Sequence, residues 1–597
     1  MWRAILFNMN SLVKAGLMLG IGTWVVGLIS CVDNKYDLSD IDTNAAINVN
    51  DLTVPVNLET ITLRSVLDLD DNDVVKEING EYAVVKEGEF HSNPISIDPF
   101  VIKNPVIKSI SSDIAMKEVA SVSSVPSGAT ASTIPADLLL ISFDIESANA
   151  KTDLSLNAQN VDISIVSIDT VEADAVLTAQ LSFTGLESYV RNFYLENLVI
   201  TLPKYLDVTV SDGGKYDMKT GQVTFTNSLL SDEGLSKKVS FTLKNIYAKA
   251  AGAVLQNQTF SYKSECKASG VVSVYGKNLV PTANVNDLLS LKKIHYVCSV
   301  AFDRDMTINK FSGSVDYSVK GFEVEPIRLD NLPDVLSQSG TQIGLDNPQI
   351  YARLNNPLYE NKVYPSADMN LIPSPTSSEV FKVSLTAGKK DNVYCFSPKK
   401  PQSYFAGNGS DYSNADHICF SNLGKLLYGE RIPSSVAIDI DASVHQHVSQ
   451  FSLGSYEAVN GKYTFYAPLL LTEDSHVAYT DTIDGWNDED VDAITVRKAV
   501  LTAKVVKDIP YGVTFEVWPI DKDGKKMADV KGTAVLSADV DKELPLDITL
   551  EGNITHLDGV IIKARVDATS QATLGPDMTL KVSDLKVRLS GTYEKEL

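Results

Sequence analysis

A chain of 597 residues with 76 Asp and Glu against 52 Lys and Arg carries a formal net charge of −24. That acidity repels phosphate backbones and anionic lipid headgroups, which excludes nucleic acid as a partner and membrane adsorption by charge. A hydrophobic content of 44% with 21% charged residues excludes an intrinsically disordered chain, and the length suggests about three or four domains.

The first elements in the chain are an address. Arg3 and Lys14 precede an uncharged run from Ala15 to Ser30, ending in Leu28-Ile29-Ser30-Cys31. A basic start, an apolar core and small residues before a cleavage point form a secretory signal. Met9 offers a second start that keeps Lys14 as the basic flank. The cysteine in this position resembles the lipobox of bacterial lipoproteins, which implies acylation (palmitate or a similar chain) at Cys31. The alternative is a transmembrane helix, but the run of 16 residues falls short of the ~20 that span a bilayer. By the same resemblance, Val32 after the cysteine implies the outer membrane, with either the cell surface or the periplasmic side exposed. Residues 1–30 hold two basic residues and no acid, so the remaining 567 residues carry 50 basic and 76 acidic groups, a net charge of −26.

Residues 31–50 are polar and read as a tether, followed by an N-terminal β region over 51–115. There, 74–78 and 81–86 predict a hairpin closed by Asn79-Gly80. Period-two alternation then dominates: Leu177, Ala179, Leu181 and Phe183; Val223 and Phe225; Val239, Phe241 and Leu243; Ile562, Ala564, Val566 and Ala568; Leu585, Val587 and Leu589. Such runs, each with one apolar face, read as antiparallel strands. Gly213-Gly214, Asn460-Gly461 and Asp523-Gly524 predict further tight turns. Short helices are expected at 63–69, 286–292, 331–336 and 422–427, where Asn or Asp meets closely spaced leucines. The fold expected is all-β: tandem antiparallel, immunoglobulin-like β-sandwiches with a few short helices. Their domains are placed at 116–316, 317–484 and 485–597.

The passage Cys31-Val32-Asp33-Asn34-Lys35-Tyr36-Asp37-Leu38-Ser39-Asp40-Ile41-Asp42-Thr43 is similar to uncharacterised lipoproteins of the Bacteroidales. So is Val66-Leu67-Asp68-Leu69-Asp70-Asp71 with Val75-Lys76-Glu77-Ile78-Asn79-Gly80-Glu81-Tyr82. The resemblance covers the first 100 residues and implies a cell-envelope lipoprotein with β-rich domains. It brings no catalytic residues.

Chemical motifs are sparse. No His-Glu-x-x-His, P-loop or Gly-x-Ser-x-Gly occurs. Cys266, Cys298, Cys395 and Cys419 lack C-x-x-C spacing. They read either as disulfides, with 266–298 and 395–419 favoured by proximity, or as reduced core thiols. His445 and His447 share one strand face, but zinc wants more ligands, so no metal is assigned. Asp68-Leu69-Asp70-Asp71-Asn72-Asp73 begins like a calcium loop, yet its sixth and twelfth positions are Asp73 and Asn79, which excludes an EF-hand. Asp484-Gly485-Trp486-Asn487-Asp488-Glu489-Asp490-Val491-Asp492 is a better candidate loop. Trp486 could stack a sugar, with Asp484, Asn487, Asp488, Asp490 and Asp492 binding its hydroxyls or Ca²⁺. The alternative is a linker whose tryptophan packs on a neighbour. Trp518, on the strand face of Thr514 and Glu516, is a candidate surface aromatic. Asp169-Thr170-Val171 and Asp481-Thr482-Ile483 resemble O-glycosylation sites of the same bacterial phylum.

The expectation is therefore a non-enzymatic, lipid-anchored cell-envelope protein without cofactor. Its role is binding, adhesive or structural, with glycan capture at the surface as one form. The alternatives are an accessory component of an envelope or fimbria-like assembly, with an envelope protein as partner, and a glycoside hydrolase.

Overall fold

The computed structural model describes residues 44–596 apart from 56–60, 63–73, 106–108, 122–124, 126–128, 331, 337–338, 376–377, 408–409, 430–431, 487–493, 541, 569–573 and 576–577. Cys31, the signal segment, the Asp68–Asp73 stretch and the helix expected at 63–69 lie outside the described residues. The chain is all-β, as its alternation predicts. Strands pair antiparallel almost throughout; Asp391–Ser397 with Asp416–Cys419 is parallel. Among the described residues, α-helix is confined to Ala248–Ala251 and Val285–Ser290. The second falls where Asn284 predicts it, with the Asn284 side chain accepting from the N–H groups of Asn286 and Asp287. The other two helix expectations become single 3₁₀ turns, Asp334–Leu336 and Leu423–Leu427.

Among the described residues, three large hydrophobic cores organise the sheets, with a smaller cluster around Tyr351, Cys395 and Tyr412 beside the second. In the first, the 20-residue strand Ile165–Thr184 pairs with Ser236–Ile246, Lys293–Phe302 and Lys310–Val319. Across from it, Thr259–Tyr275 pairs with Leu139–Asp144, Lys151–Ala158 and Tyr194–Thr201. Leu177, Leu181, Phe183, Tyr262, Val272 and Val274 meet between these layers. Strands this long outrun any single partner, so one 18-stranded sheet wraps the whole core.

The second core lies between Ser366–Ser374 and Phe381–Thr386 on one side and a seven-stranded sheet on the other. That sheet includes Glu81–His91, Asn460–Pro468, Gln349–Asn355 and Asp391–Ser397. The first two cores share a strand. Ser435–Ser452 gives Ile438 to the second core and Val444, Val448 and Phe451 to the first. Its partner Lys310–Val319 runs through residue 316 without a break, so the sheet is continuous where the sequence pattern places a domain boundary.

The third core is a sandwich. A sheet of Asn44–Pro55, Thr579–Glu596, Ile494–Lys507 and Leu544–Ile554 faces one of His476–Ile483, Leu557–Asp567, Gly512–Asp521 and Gly532–Leu536. Residues 44–50, assigned to the tether by their polarity, form the start of an edge strand along the C-terminal strand. An edge strand needs apolar side chains on one face only, and Val49 and Leu52 supply them.

The turn expectations divide. Asn79 and Gly80 take φ of 54° and 82° and close Val75–Ile78 onto Glu81–His91, the geometry a two-residue hairpin requires. Asn460-Gly461 makes no turn. It opens the strand Asn460–Pro468, and a Cβ on Gly461 would lie 2.1 Å from the Phe90 ring, so this glycine makes room for a phenylalanine.

Candidate functional site

Trp486 is half-buried against the third core, and its backbone N–H donates to the Asp558 carbonyl at 2.7 Å. The loop joins His476–Ile483 to Ile494–Lys507, two strands of the same sandwich, so Trp486 packs on its own sandwich and not on a neighbouring domain. Asp484 is exposed next to it, whereas Asn487, Asp488, Asp490 and Asp492 lie outside the described residues.

Trp518 is half-buried, and its ring already has a partner. The turn after Asp521, held by the Asp521 carboxylate accepting from the Asp523 and Lys525 N–H groups, folds Lys526 back. Its Nζ stands 3.3 Å from the ring centroid, with the Lys531 Nζ at 5.3 Å. A cation over an indole face contributes about 0.5–1 kcal/mol at an exposed site. The lysine covers a face that a sugar would need, and Glu516 pairs with Lys531 beside it.

His445 and His447 are both exposed on one strand face and do not converge on a common point. His445 Nδ1 pairs with Asp316 at 3.0 Å, and His447 Nε2 pairs with Asp169 at 2.8 Å. The His447 hydrogen bond is the main cause holding the Asp169 carboxyl below the usual range. Among the described residues no group of three metal-ligating side chains occurs.

The four cysteines are free thiols. Cys266 and Cys298 are buried across a void of about 10 Å³ in the first core, and burial pushes the Cys266 thiol up to about 12. Cys395 is buried and lies opposite His417, not opposite the exposed Cys419.

Among the described residues, volume decides between two cavities. The one inside the second core, under Phe322, Ile350 and Ile440, is apolar and about 60 Å³. That is well below the ~150 Å³ that admits benzene. The other is an open cleft of about 760 Å³, inside the ~300–1,000 Å³ range of ligand sites. Pro373, Pro375, Phe381 and Pro433 form apolar wall, and Tyr428 stands in it. The Tyr428 side chain is fixed by Gln342 Nε2, which donates to its hydroxyl at 2.6 Å, while the residue stays 46% exposed. Ion-paired Lys425 and Glu379, 3.3 Å apart, and Asp474 supply donors and acceptors. The 3₁₀ turn Leu423–Leu427 positions this rim, with Asn422 Nδ2 donating to the Val380 carbonyl. No motif marked the cleft in the sequence. Pro373 and Pro375 stand at the end of the strand Ser366–Ser374 and Pro433 some sixty residues on, and only folding brings the two together.

No protein-family model matches the chain, and no curated protein matches it. Among solved structures it is similar to a protein of Parabacteroides distasonis ATCC 8503 described as secreted. That likeness has 9% identity over 91% of this chain and 99% of that one, with a TM-score of 0.37. It is also matched to the naturally occurring empty particle of cowpea mosaic virus, at 10% identity over 48% of this chain and 91% of the other, with a TM-score of 0.12. Both scores are too low to carry an argument, so the site rests on this chain's own residues.

Proposed function

We propose that the protein is a non-enzymatic, lipid-anchored lipoprotein of a Bacteroidales-type outer membrane, held through Cys31, that captures a neutral glycan in the cleft around Tyr428. The observation that carries the binding role is the cleft itself. It combines ligand-sized volume, an exposed and hydrogen-bonded aromatic ring, and side-chain donors and acceptors. An aromatic face suits the apolar side of a sugar ring, and Lys425, Glu379 and Asp474 suit its hydroxyls. A peptide added as a strand would need backbone N–H groups from the wall, and Pro373, Pro375 and Pro433 have none. The net acidity of the chain disfavours anionic polysaccharides. The lipid anchor and extracytoplasmic location rest on the signal segment that ends at Cys31.

Affinity electrophoresis of the full chain in gels cast with neutral polysaccharides tests the reading. Retardation by at least one polysaccharide, weakened about tenfold or more in Tyr428→Ala as expected for a lost aromatic anchor, supports it. Retardation by none, or equal retardation of Tyr428→Ala, refutes the cleft.

A further inference from the structure

Strands Ile110–Val119 and Lys293–Phe302 pair antiparallel, with Asp113 opposite His295 and Ser111 opposite Val297. Ile110, Ile114, Ile294, Tyr296 and Cys298 point into the first core. Ser111, Asp113, Lys293 and His295 therefore share the outer face, because side chains alternate along a strand.

On that face the His295 ring stands between two partners. Its Nδ1 is 3.1 Å from Asp113 Oδ1, and its Nε2 is 3.0 Å from Ser111 Oγ. Lys293 Nζ reaches the other Asp113 oxygen at 2.6 Å. Hydrogen bonds from Lys293 first and His295 second hold the Asp113 carboxyl below its usual range. An ionised carboxylate only accepts hydrogen bonds, so the neutral imidazole carries its proton on Nδ1 and turns the Nε2 lone pair toward Ser111. The Ser111 O–H then donates to Nε2. A nucleophile bonded to a base that a third group orients is the arrangement that activates a hydroxyl.

We infer that Ser111 is a covalent acyl acceptor, taking an acyl group from an activated ester with His295 as general base and Asp113 as the positioning residue. The bond that forms joins Ser111 Oγ to the acyl carbon, and the bond that breaks is the ester C–O bond. The serine proton passes to His295 Nε2 and from there to the departing alkoxide. Acyl-serine and free alcohol result, with no oxidant or reductant. The face is open, with the His295 and Asp113 side chains 44% and 45% exposed, so a donor reaches Oγ without any opening of the fold. The same openness lets water screen the relay. The expected acceleration is therefore ~100-fold, the lower end of general-base catalysis, which suits stoichiometric modification better than turnover. This inference is independent of the Tyr428 cleft.

The test incubates the full chain with p-nitrophenyl acetate, follows p-nitrophenolate release and maps acetyl groups by peptide mass. The expected result is acetylation of Ser111 ~100-fold faster than of neighbouring Ser109 and Ser112. It is lost in Ser111→Ala and falls to the neighbours' rate in His295→Gln. Asp113→Asn slows it, and Asp113→Glu restores it. All three groups are exposed, and far-UV circular dichroism confirms that the variants keep the fold. Acetyl spread evenly over surface serines, acetyl on Lys293 in place of Ser111, or labelling of Ser111 that ignores His295→Gln would each overturn the inference.

Discussion

Lys507 ends the strand Ile494–Lys507 with 0% of its surface exposed. Its Nζ donates to the Ile509 carbonyl at 2.7 Å, and burial holds its ammonium below the usual lysine range, with Asp539 acting in the opposite direction. Burying an ammonium costs several kcal/mol after relaxation. One hydrogen bond from a charged donor offsets about 1.5–3 kcal/mol of that. Lys507→Met keeps the apolar stem and removes the charge. The expected outcome is a gain of about 1–2 kcal/mol, the difference between these two terms.

The sign with pH follows from the same depression. Between the lowered folded pKa and the ~10.4 of an unfolded lysine, the unfolded chain holds a proton that the native state has shed. Stability therefore rises as pH climbs through that window, and Lys507→Met removes this slope. Urea unfolding followed by tryptophan fluorescence is the right assay. Trp486 and Trp518 are the two tryptophans beyond residue 30, and both belong to the sandwich that contains Lys507. A loss of 1 kcal/mol or more in Lys507→Met, or an unchanged pH slope, would refute the reasoning.

Two further outcomes are expected. Of the four cysteines after Cys31, only exposed Cys419 should label with a maleimide in the native protein; the other three are buried with their thiols pushed up by burial, and all four should label in denaturant without reductant. Fast native labelling of Cys266, or a pair that labels only after reduction, would contradict the free-thiol core. Gly313→Ala places a Cβ 1.9 Å from the Ser167 carbonyl oxygen, where the strands Ile165–Thr184 and Lys310–Val319 shift register. Backbone cannot yield as a side chain can, so a loss of about 1–3 kcal/mol is expected in urea unfolding followed by circular dichroism; wild-type stability would show that the strands separate freely there.

The alternating runs around Leu181, Phe241 and Val587 were legible as strands because period two is a property of the backbone alone. Asn79-Gly80 was legible as a turn because few other residues accept two successive positive φ angles. Asn460-Gly461 uses the same letters for a different reason, close packing on Phe90, and local pattern cannot tell the two apart. Trp518 shows a related limit of local pattern. Facing patterns placed Trp518 on the outer side correctly, but the lysine that covers it arrives from a turn beyond the strand.

By itself, the sequence determined strand content and the hairpin at Asn79-Gly80. Only the tertiary structure decided which strands meet. It set Asn44–Pro55 along Thr579–Glu596, ran one sheet through residue 316, brought Ser111 to His295 and gathered the prolines around Tyr428. Alternation shows which face of a strand is apolar, not which strand will cover it. That choice is made by packing between residues hundreds of positions apart, and it leaves no local period to read.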